Sequence, residues 1–120
     1  MELLVARNFN DHLAVIASES PHALVMDWWR RLDLALRDYG HFFRPVIDHQ
    51  DRTAIEKAVS QDPALGPEAA ARISELRHQR NRVAHESIHL SSKDATAHAR
   101  QAFSLIAALA RRVSELEVAP

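Results

Sequence analysis

The residues that break helices are rare in this chain, and they fall at a few positions. Its 120 residues include two glycines and five prolines. Apart from the C-terminal proline, these lie at position 21, between positions 40 and 45, and between positions 63 and 67. The stretches between them are rich in alanine, leucine, arginine and glutamate, which favour helices over strands. The sequence therefore predicts an all-α domain.

Apolar residues recur every three or four positions between these breakers, which is typical of amphipathic helices. The spacing predicts helices over residues 2–17, 21–39, 51–60 and 67–85, and from about 92 to 116. Ser20 and Ser91 are typical N-caps and Gly40 a typical C-cap. Because the connections are short, neighbouring helices are expected to be antiparallel. We therefore expect residues 1–120 to form a single domain, a four- to five-helix up-and-down bundle.

The periodicity also predicts which side chains enter the core. In the second helix one face carries Leu24, Trp28, Leu32, Ala35, Leu36 and Tyr39, and in the last helix Ala95, Ala99, Ala102, Phe103, Ile106, Leu109 and Val113. One residue of the Trp28–Trp29 pair is expected in the core and the other partly buried, so packing is favoured over base stacking. Phe42 and Phe43 are expected to close the end of the bundle.

Composition and charge exclude several classes of protein. Hydrophobic residues make up 47% and charged residues 26% of the chain, as in ordinary globular domains. No apolar run reaches the roughly 18 residues that a membrane span needs, and the N-terminus does not resemble a signal peptide. With no cysteine there is neither a disulfide nor a thiolate metal site. These features predict a cytoplasmic protein that is not attached to a membrane.

The net charge of −1 does not suggest a general nucleic-acid binder, but the charge is distributed unevenly. Residues 72–82 contain four arginines and a histidine against one glutamate. The end of this strip combines a cation, Arg80, an amide, Asn81, and a group that exchanges protons near neutral pH, His85. On a helix, Arg80 and His85 are about 140° apart around the axis and about 7.5 Å apart along it, whereas Asn81 and His85 share a face. A complete site is therefore easier to build from two copies of this helix that meet across a two-fold axis.

The motif Arg80-Asn81-x-x-x-His85 resembles the R-x4-6-H signature of the HEPN superfamily, the higher eukaryotes and prokaryotes nucleotide-binding domains. The order of the predicted helices also resembles that family over the whole chain. The resemblance implies a HEPN-like bundle, a homodimer, and a metal-independent ribonuclease of the kind found in toxin–antitoxin, CRISPR and phage-defence systems. Many members of the family cleave RNA, but others only dimerise or bind RNA or protein.

Carried over to this chain, the resemblance implies that Arg80 binds the scissile phosphate, that His85 is the general acid or base, and that Asn81 orients the phosphate or the 2′-hydroxyl. Attack by the 2′-hydroxyl implies cleavage of RNA and not of DNA, without metal or cofactor. In the basic strip, Arg77, His78 and Arg82 are expected to bind RNA. Family toxins that are neutralised by nucleotide transfer often carry tyrosine two positions after the histidine. Ser87 stands there, so only a different antitoxin or regulatory partner is expected.

Two other interpretations remain. Residues 85–89 read His-Glu-Ser-Ile-His, which matches the H-E-x-x-H pattern of zinc proteases. That pattern needs one helix through all five residues and a third ligand, neither of which the sequence predicts. The remaining histidines, at positions 12, 22, 41, 49, 78 and 98, show no further ligand spacing. The second interpretation is a non-catalytic module that dimerises and binds RNA or a protein.

Overall fold

Five helices make up nearly all of the part of the chain that the structure describes. The computed structural model describes residues 2–43, 52–85 and 89–118, with the side chains of residues 2–8 and 10 left out. The helices are α1 (Glu2–Glu19), α2 (Pro21–Phe43), α3 (Arg52–Gln61), α4 (Gly66–His85) and α5 (Ser92–Val118). No strand occurs within these ranges, which confirms the predicted all-α class. None of the helices described is long and apolar enough to cross a membrane.

The two predicted N-caps are confirmed. The hydroxyl of Ser20 accepts a hydrogen bond from the backbone N–H of Ala23 at 3.2 Å, at the start of α2. The hydroxyl of Ser91 accepts one from the N–H of Asp94 at 3.1 Å, at the start of α5. Each bond satisfies an N–H group that lacks a partner in the first turn of a helix.

The predicted end of α2 at Gly40 is wrong, because the helix continues through this buried glycine to Phe43. Tyr39 and Phe43 stack with ring centroids 5.2 Å apart, and Phe43 packs against the core. This packing offsets the cost of about 1 kcal/mol that a glycine adds inside a helix. Phe43 thus fits its predicted place at the end of the bundle, whereas Phe42 is 37% exposed.

The chain turns from α3 into α4 at a glycine in the left-handed region. Gly66 has a φ of +86°, a conformation that residues with a Cβ rarely adopt. The backbone N–H groups of Leu65 and Gly66 donate to the carbonyl of Asp62 at 3.0 and 2.8 Å. These bonds close the C-terminal end of α3 and set the position at which α4 begins.

The two longest helices, α2 and α5, pack side by side and run in the same direction. Near their first halves, the rings of Trp28 and Phe103 lie 6.0 Å apart. Near their second halves, the guanidinium of Arg112 lies 5.9 Å from the ring of Phe43. Contacts thus advance along both helices together, which defines a parallel pair.

The predicted alternation of helix direction fails at one step. Side-chain contacts between consecutive helices show that α1 and α2, α3 and α4, and α4 and α5 are antiparallel, as predicted. α2 and α3, in contrast, are parallel: Asp33 pairs with Arg52 at 3.4 Å, and Tyr39 further along contacts Asp62. The architecture is therefore an all-α bundle in which α2, α3 and α5 run one way and α1 and α4 the other.

Two groups of apolar side chains form the core. The larger joins α2, α3, α4 and α5 through Trp29, Leu32, Leu36, Tyr39, Ile55, Ala58, Val59, Ile73, Leu76, Ala102, Leu105, Leu109 and Val113. The smaller joins α1 to the first halves of α2 and α5 and to the end of α4 through Leu13, Ala17, Leu24, Val25, Val83, Leu90, Ala95 and Ala99.

One tryptophan of the pair is in the core and the other is partly buried, as predicted. The core residue is Trp29, however, and not Trp28, which the periodicity places on the core face. Trp29 is 3% exposed, and Trp28 is half-buried. Trp28 belongs to an aromatic cluster with Phe9 and Phe103, in which Phe103 is 46% exposed and was wrongly predicted as a core residue. The side chain of Phe103 covers α1 and the edge of α2 rather than entering the core.

A buried carboxylate links α2, α5 and the turn before α4. Asp62 is fully buried, and its Oδ2 accepts hydrogen bonds from the hydroxyl of Tyr39 and from Nε of Arg112, both at 2.9 Å. Its Oδ1 accepts from the backbone N–H of Ala64 at 3.0 Å. Burial alone raises the pKa of Asp62, but these three hydrogen bonds and the charge of Arg112 outweigh it and hold the pKa below its ordinary value.

We expect Asp62→Asn to lower the free energy of unfolding at neutral pH by about 2–3 kcal/mol, because it leaves Arg112 without its buried partner. Tyr39→Phe removes one hydrogen bond and should cost about 1 kcal/mol. Since a lowered folded-state pKa stabilises above the unfolded-state pKa, the deficit of Asp62→Asn should shrink as pH falls through the folded-state pKa. Urea denaturation at several pH values measures the difference in free energy of unfolding between the wild type and each variant. Asp38→Asn, at an exposed carboxylate, is the control, and an equal deficit in that variant would contradict the prediction.

Candidate functional site

α4 is held on three sides by three polar side chains in its second half. Arg77 faces α3, where its Nε donates to Oε1 of Glu56 at 2.8 Å and its Nη2 to Oε2 at 3.3 Å. Gln79 faces α5, where its Oε1 lies 2.8 Å from Nδ1 of His98. Arg80 lies against α2, in a groove that residues of that helix line. These contacts set the rotation of α4 about its axis.

Arg80 and Asn81 are brought together by a direct hydrogen bond. Nη1 of Arg80 donates to Oδ1 of Asn81 at 3.0 Å. Arg80 also shares a stripe of α4 with the buried residues Leu76 and Val83, at positions i, i+4 and i+7, so its stem lies along the core. Nε of Arg80 is buried, and no residue that the structure describes accepts a hydrogen bond from it.

The predicted proton carrier lies on the opposite side of the same helix. His85 is exposed in the last turn of α4, one turn beyond half-buried Asn81. His78 and Arg82, both exposed, lie on this outward face as well. Within one chain the structure therefore joins Arg80 to Asn81 and places His85 next to Asn81, but it does not bring His85 into the groove that contains Arg80.

Of the three residues expected to bind RNA, two are open to solvent and one is engaged. His78 and Arg82 are exposed on the outward face of α4. Arg77 makes the two-bond ion pair with Glu56, and its side chain is only 25% exposed. Such a pair gives Arg77 a structural part in joining α3 to α4, which the basic strip in the sequence did not reveal.

A groove beside Arg80 is lined by more arginines than carboxylates. It has a volume of about 340 Å³ and is lined by Met26, Asp27, Trp29, Arg30, Asp33, Arg52 and Arg80. Asp27 pairs with Arg31 at 3.1 Å, and Asp33 with Arg37 at 3.1 Å, so both carboxylates are neutralised. The groove was not predicted from the sequence because its arginines come from three helices. The spacing of Met26, Arg30 and Asp33 on one face of α2 was the available signal.

His98 is a buried histidine that the periodicity did not assign to the core. It is 1% exposed, and burial lowers its pKa to about 4. Since the acceptor is Oε1 of Gln79, the neutral ring carries its proton on Nδ1. The other ring nitrogen of His98, Nε2, is buried and has no hydrogen-bond partner among the described residues. The histidine thus fixes α4 to α5 as a neutral group.

Two further expectations concern residues near the end of α4. The described part of that helix ends at His85, and residues 89–91 are not helical. Residues 86–88 lie outside the described part of the chain, so neither the position of Ser87 nor the middle of the H-E-x-x-H pattern is characterised. Among the described residues no three histidine or carboxylate side chains are grouped to hold a metal ion.

No family profile, curated protein or solved structure matches the chain. The resemblance to the HEPN superfamily therefore rests on the motif and on the order of the helices.

We expect the stability of the protein to fall as pH decreases from about 6.5 to about 4, because in this window the unfolded chain binds a proton at His98 and the folded chain does not. The contribution of one such group is at most about 1.4 kcal/mol per pH unit. Urea denaturation of the wild type and of His98→Gln, compared across this window, isolates it. Parallel pH profiles in the two proteins would show that His98 is not the group responsible.

Proposed function

We propose that this protein is a metal-independent endoribonuclease that works as a homodimer, with Arg80, Asn81 and His85 as its catalytic residues. The observation that carries the proposal is the 3.0 Å hydrogen bond between Arg80 and Asn81, one turn before an exposed histidine at the end of α4. A fixed cation, an amide and a histidine are components that can together support cleavage of RNA without a metal ion.

In the proposed reaction the ribose 2′-oxygen attacks the adjacent phosphorus. The bond between phosphorus and the 2′-oxygen forms while the bond to the 5′-oxygen breaks, which leaves a 2′,3′-cyclic phosphate and a free 5′-hydroxyl. As general base, His85 accepts the proton of the 2′-hydroxyl, and solvent water protonates the departing 5′-oxygen. As general acid, it donates the proton to the 5′-oxygen, and water accepts the proton of the 2′-hydroxyl. Arg80 stabilises the negative charge that develops on the phosphate oxygens.

Asn81 has a positioning role in this scheme. Because its Oδ1 accepts from Nη1 of Arg80, it restricts the guanidinium to one orientation, and the Nδ2 amide group remains available to a phosphate or a 2′-hydroxyl. DNA lacks the 2′-hydroxyl, so the reaction is specific for RNA.

The separation of Arg80 and His85 in one chain is the reason for proposing a dimer. Arg80 lies in the groove toward α2, and His85 projects from the outward face. A second copy of α4 related by a two-fold axis would bring His85 of the partner subunit toward Arg80, and the reverse at the second site. As a toxin or defence effector, such an enzyme would need a protein partner that restrains it.

The same separation also favours a second candidate, a dimeric module that binds RNA or a protein without cleaving it. In that case Arg80 and Asn81 stabilise the end of α4, and His85 is a surface residue near the C-terminal end of the helix dipole. The two candidates differ in whether RNA is cut when divalent metal is removed.

We expect purified protein to cleave RNA in the presence of EDTA. His85→Ala and Arg80→Ala should each lower the rate about 100-fold or more, because they remove proton transfer and charge stabilisation. Asn81→Ala, which removes a hydrogen bond to a charged group, should cost about tenfold. Product analysis by gel electrophoresis should show 2′,3′-cyclic phosphate ends.

His12→Ala and Arg111→Ala, at exposed positions on α1 and α5, are matched controls and should keep the wild-type rate. Cleavage that persists in His85→Ala would exclude the proposed mechanism. A folded, dimeric protein that never cuts RNA would support the non-catalytic module.

Mixing two inactive variants tests the composite site. When Arg80→Ala and His85→Ala subunits are combined, each mixed dimer contains one site with both residues intact and one site with neither. Random mixing should restore about a quarter of the wild-type activity, because half of the dimers are mixed and each has one working site. A site within a single chain would give no recovery, and this outcome would rule out the shared arrangement.

A further inference from the structure

The groove between α2, α3 and α4 holds more positive charge than its neighbouring carboxylates can neutralise. Five arginines and two aspartates surround it: Arg30, Arg31, Arg37, Arg52 and Arg80, with Asp27 and Asp33. Arg31 and Arg37 lie within 3.1 Å of the two carboxylates, and they are not among the residues that line the groove. The arginines that do line it are thus in surplus.

The arginines of the lining differ in how they are held. Arg30 is exposed and has no acidic partner among the described residues. Arg52 lies 3.4 Å from Asp33, a carboxylate that Arg37 approaches more closely, and its guanidinium is 5.9 Å from the ring of Trp29. An arginine that shares its carboxylate and rests on an aromatic ring keeps donors for another acceptor.

Two buried donors beside the groove also lack acceptors. Nε1 of Trp29 and Nε of Arg80 are both buried without a hydrogen-bond partner in the described part of the chain. Both residues line the groove. Buried N–H groups without an acceptor are costly, and here both belong to residues that line a concavity with surplus positive charge. A ligand that is anionic and rich in oxygen acceptors fits this chemistry.

We propose that this groove binds the phosphates of the RNA strand next to the scissile position, with Arg30 and Arg52 as the contacts. The inference rests on the proposed function, because Arg80 both lines the groove and belongs to the catalytic set. A strand whose scissile phosphate lies at Arg80 continues over α2 toward Arg30. A volume of about 340 Å³ is large enough for a phosphate with its ribose.

The contacts of Arg30 and Arg52 hold the RNA without reading its sequence. Guanidinium groups on phosphates supply affinity and register, whereas base recognition needs contacts to base edges. The two arginines should therefore strengthen the binding of long RNA and leave the chemical step unchanged.

The test measures binding of a 2′-O-methyl RNA of about 12 nucleotides, which cannot be cleaved, by fluorescence anisotropy at several salt concentrations. Arg30→Ala and Arg52→Ala should each weaken binding about five- to tenfold and reduce the slope of log affinity against log salt by about 0.7 per lost contact. Arg111→Ala, an exposed arginine on α5, is the control and should bind as the wild type does. Arg52→Lys, which keeps the charge, separates loss of the contact from loss of folding.

The outcomes separate this inference from the proposed function. If both alanine variants bind RNA with unchanged affinity, the proposal that the groove binds RNA is wrong, whether or not cleavage depends on Arg80 and His85. If the alanine variants bind RNA more weakly but the wild-type protein cuts no RNA, the result supports RNA binding in the groove and contradicts the proposed ribonuclease activity. If an acidic peptide of equal charge binds with the same dependence on Arg30 and displaces the RNA, the groove recognises protein and the RNA assignment is wrong. In an active enzyme, Arg30→Ala should raise KM for long RNA more than KM for a dinucleotide, and Arg111→Ala should change neither.

Discussion

The buried carboxylate of Asp62 is the interaction on which the arrangement of the helices depends. It lies where α3 ends, and its two oxygens are bound by Tyr39 from α2, by Arg112 from α5 and by the backbone of the following turn. A charge in this position is tolerated only with such complete compensation, so the three elements must meet at one point. That requirement fixes the second halves of the parallel pair α2 and α5 beside the start of α4.

α4 connects the region around Asp62 with the candidate site, which lies at the other end of this helix. It contains 20 residues and is therefore roughly 30 Å long. Along its second half, Arg77 is bound to α3, Gln79 to α5, and Arg80 lies against α2. With these three sides occupied, the remaining face points outward, and it is the face that presents His85. The fixed rotation of the helix thus separates the cation from the proton carrier within one chain.

This separation gives Arg80 two neighbours of different kinds. On one side Asn81 holds its guanidinium and leads to His85 on the outward face. On the other side Trp29 and Arg52 continue the groove away from the motif. In the proposed enzyme the first side performs the chemistry together with a second subunit, and the second side holds the substrate. In this proposal Arg80 belongs to both sides, and it would give a function to an arginine on the core-facing stripe of α4.

The sequence alone determined the features that depend on local contacts. Helical periodicity, the N-caps at Ser20 and Ser91, and the place of the motif at the end of α4 all follow from interactions within a few residues, and the structure confirms them. Features that need distant residues were decided by the tertiary structure. The parallel packing of α2 on α5, the burial of Trp29 and His98, and the continuation of α2 through Gly40 depend on which surfaces face each other. Periodicity marks the apolar face of a helix but does not name its neighbour, so neither the groove of arginines from three helices nor the partners of Asp62 could be read from the chain.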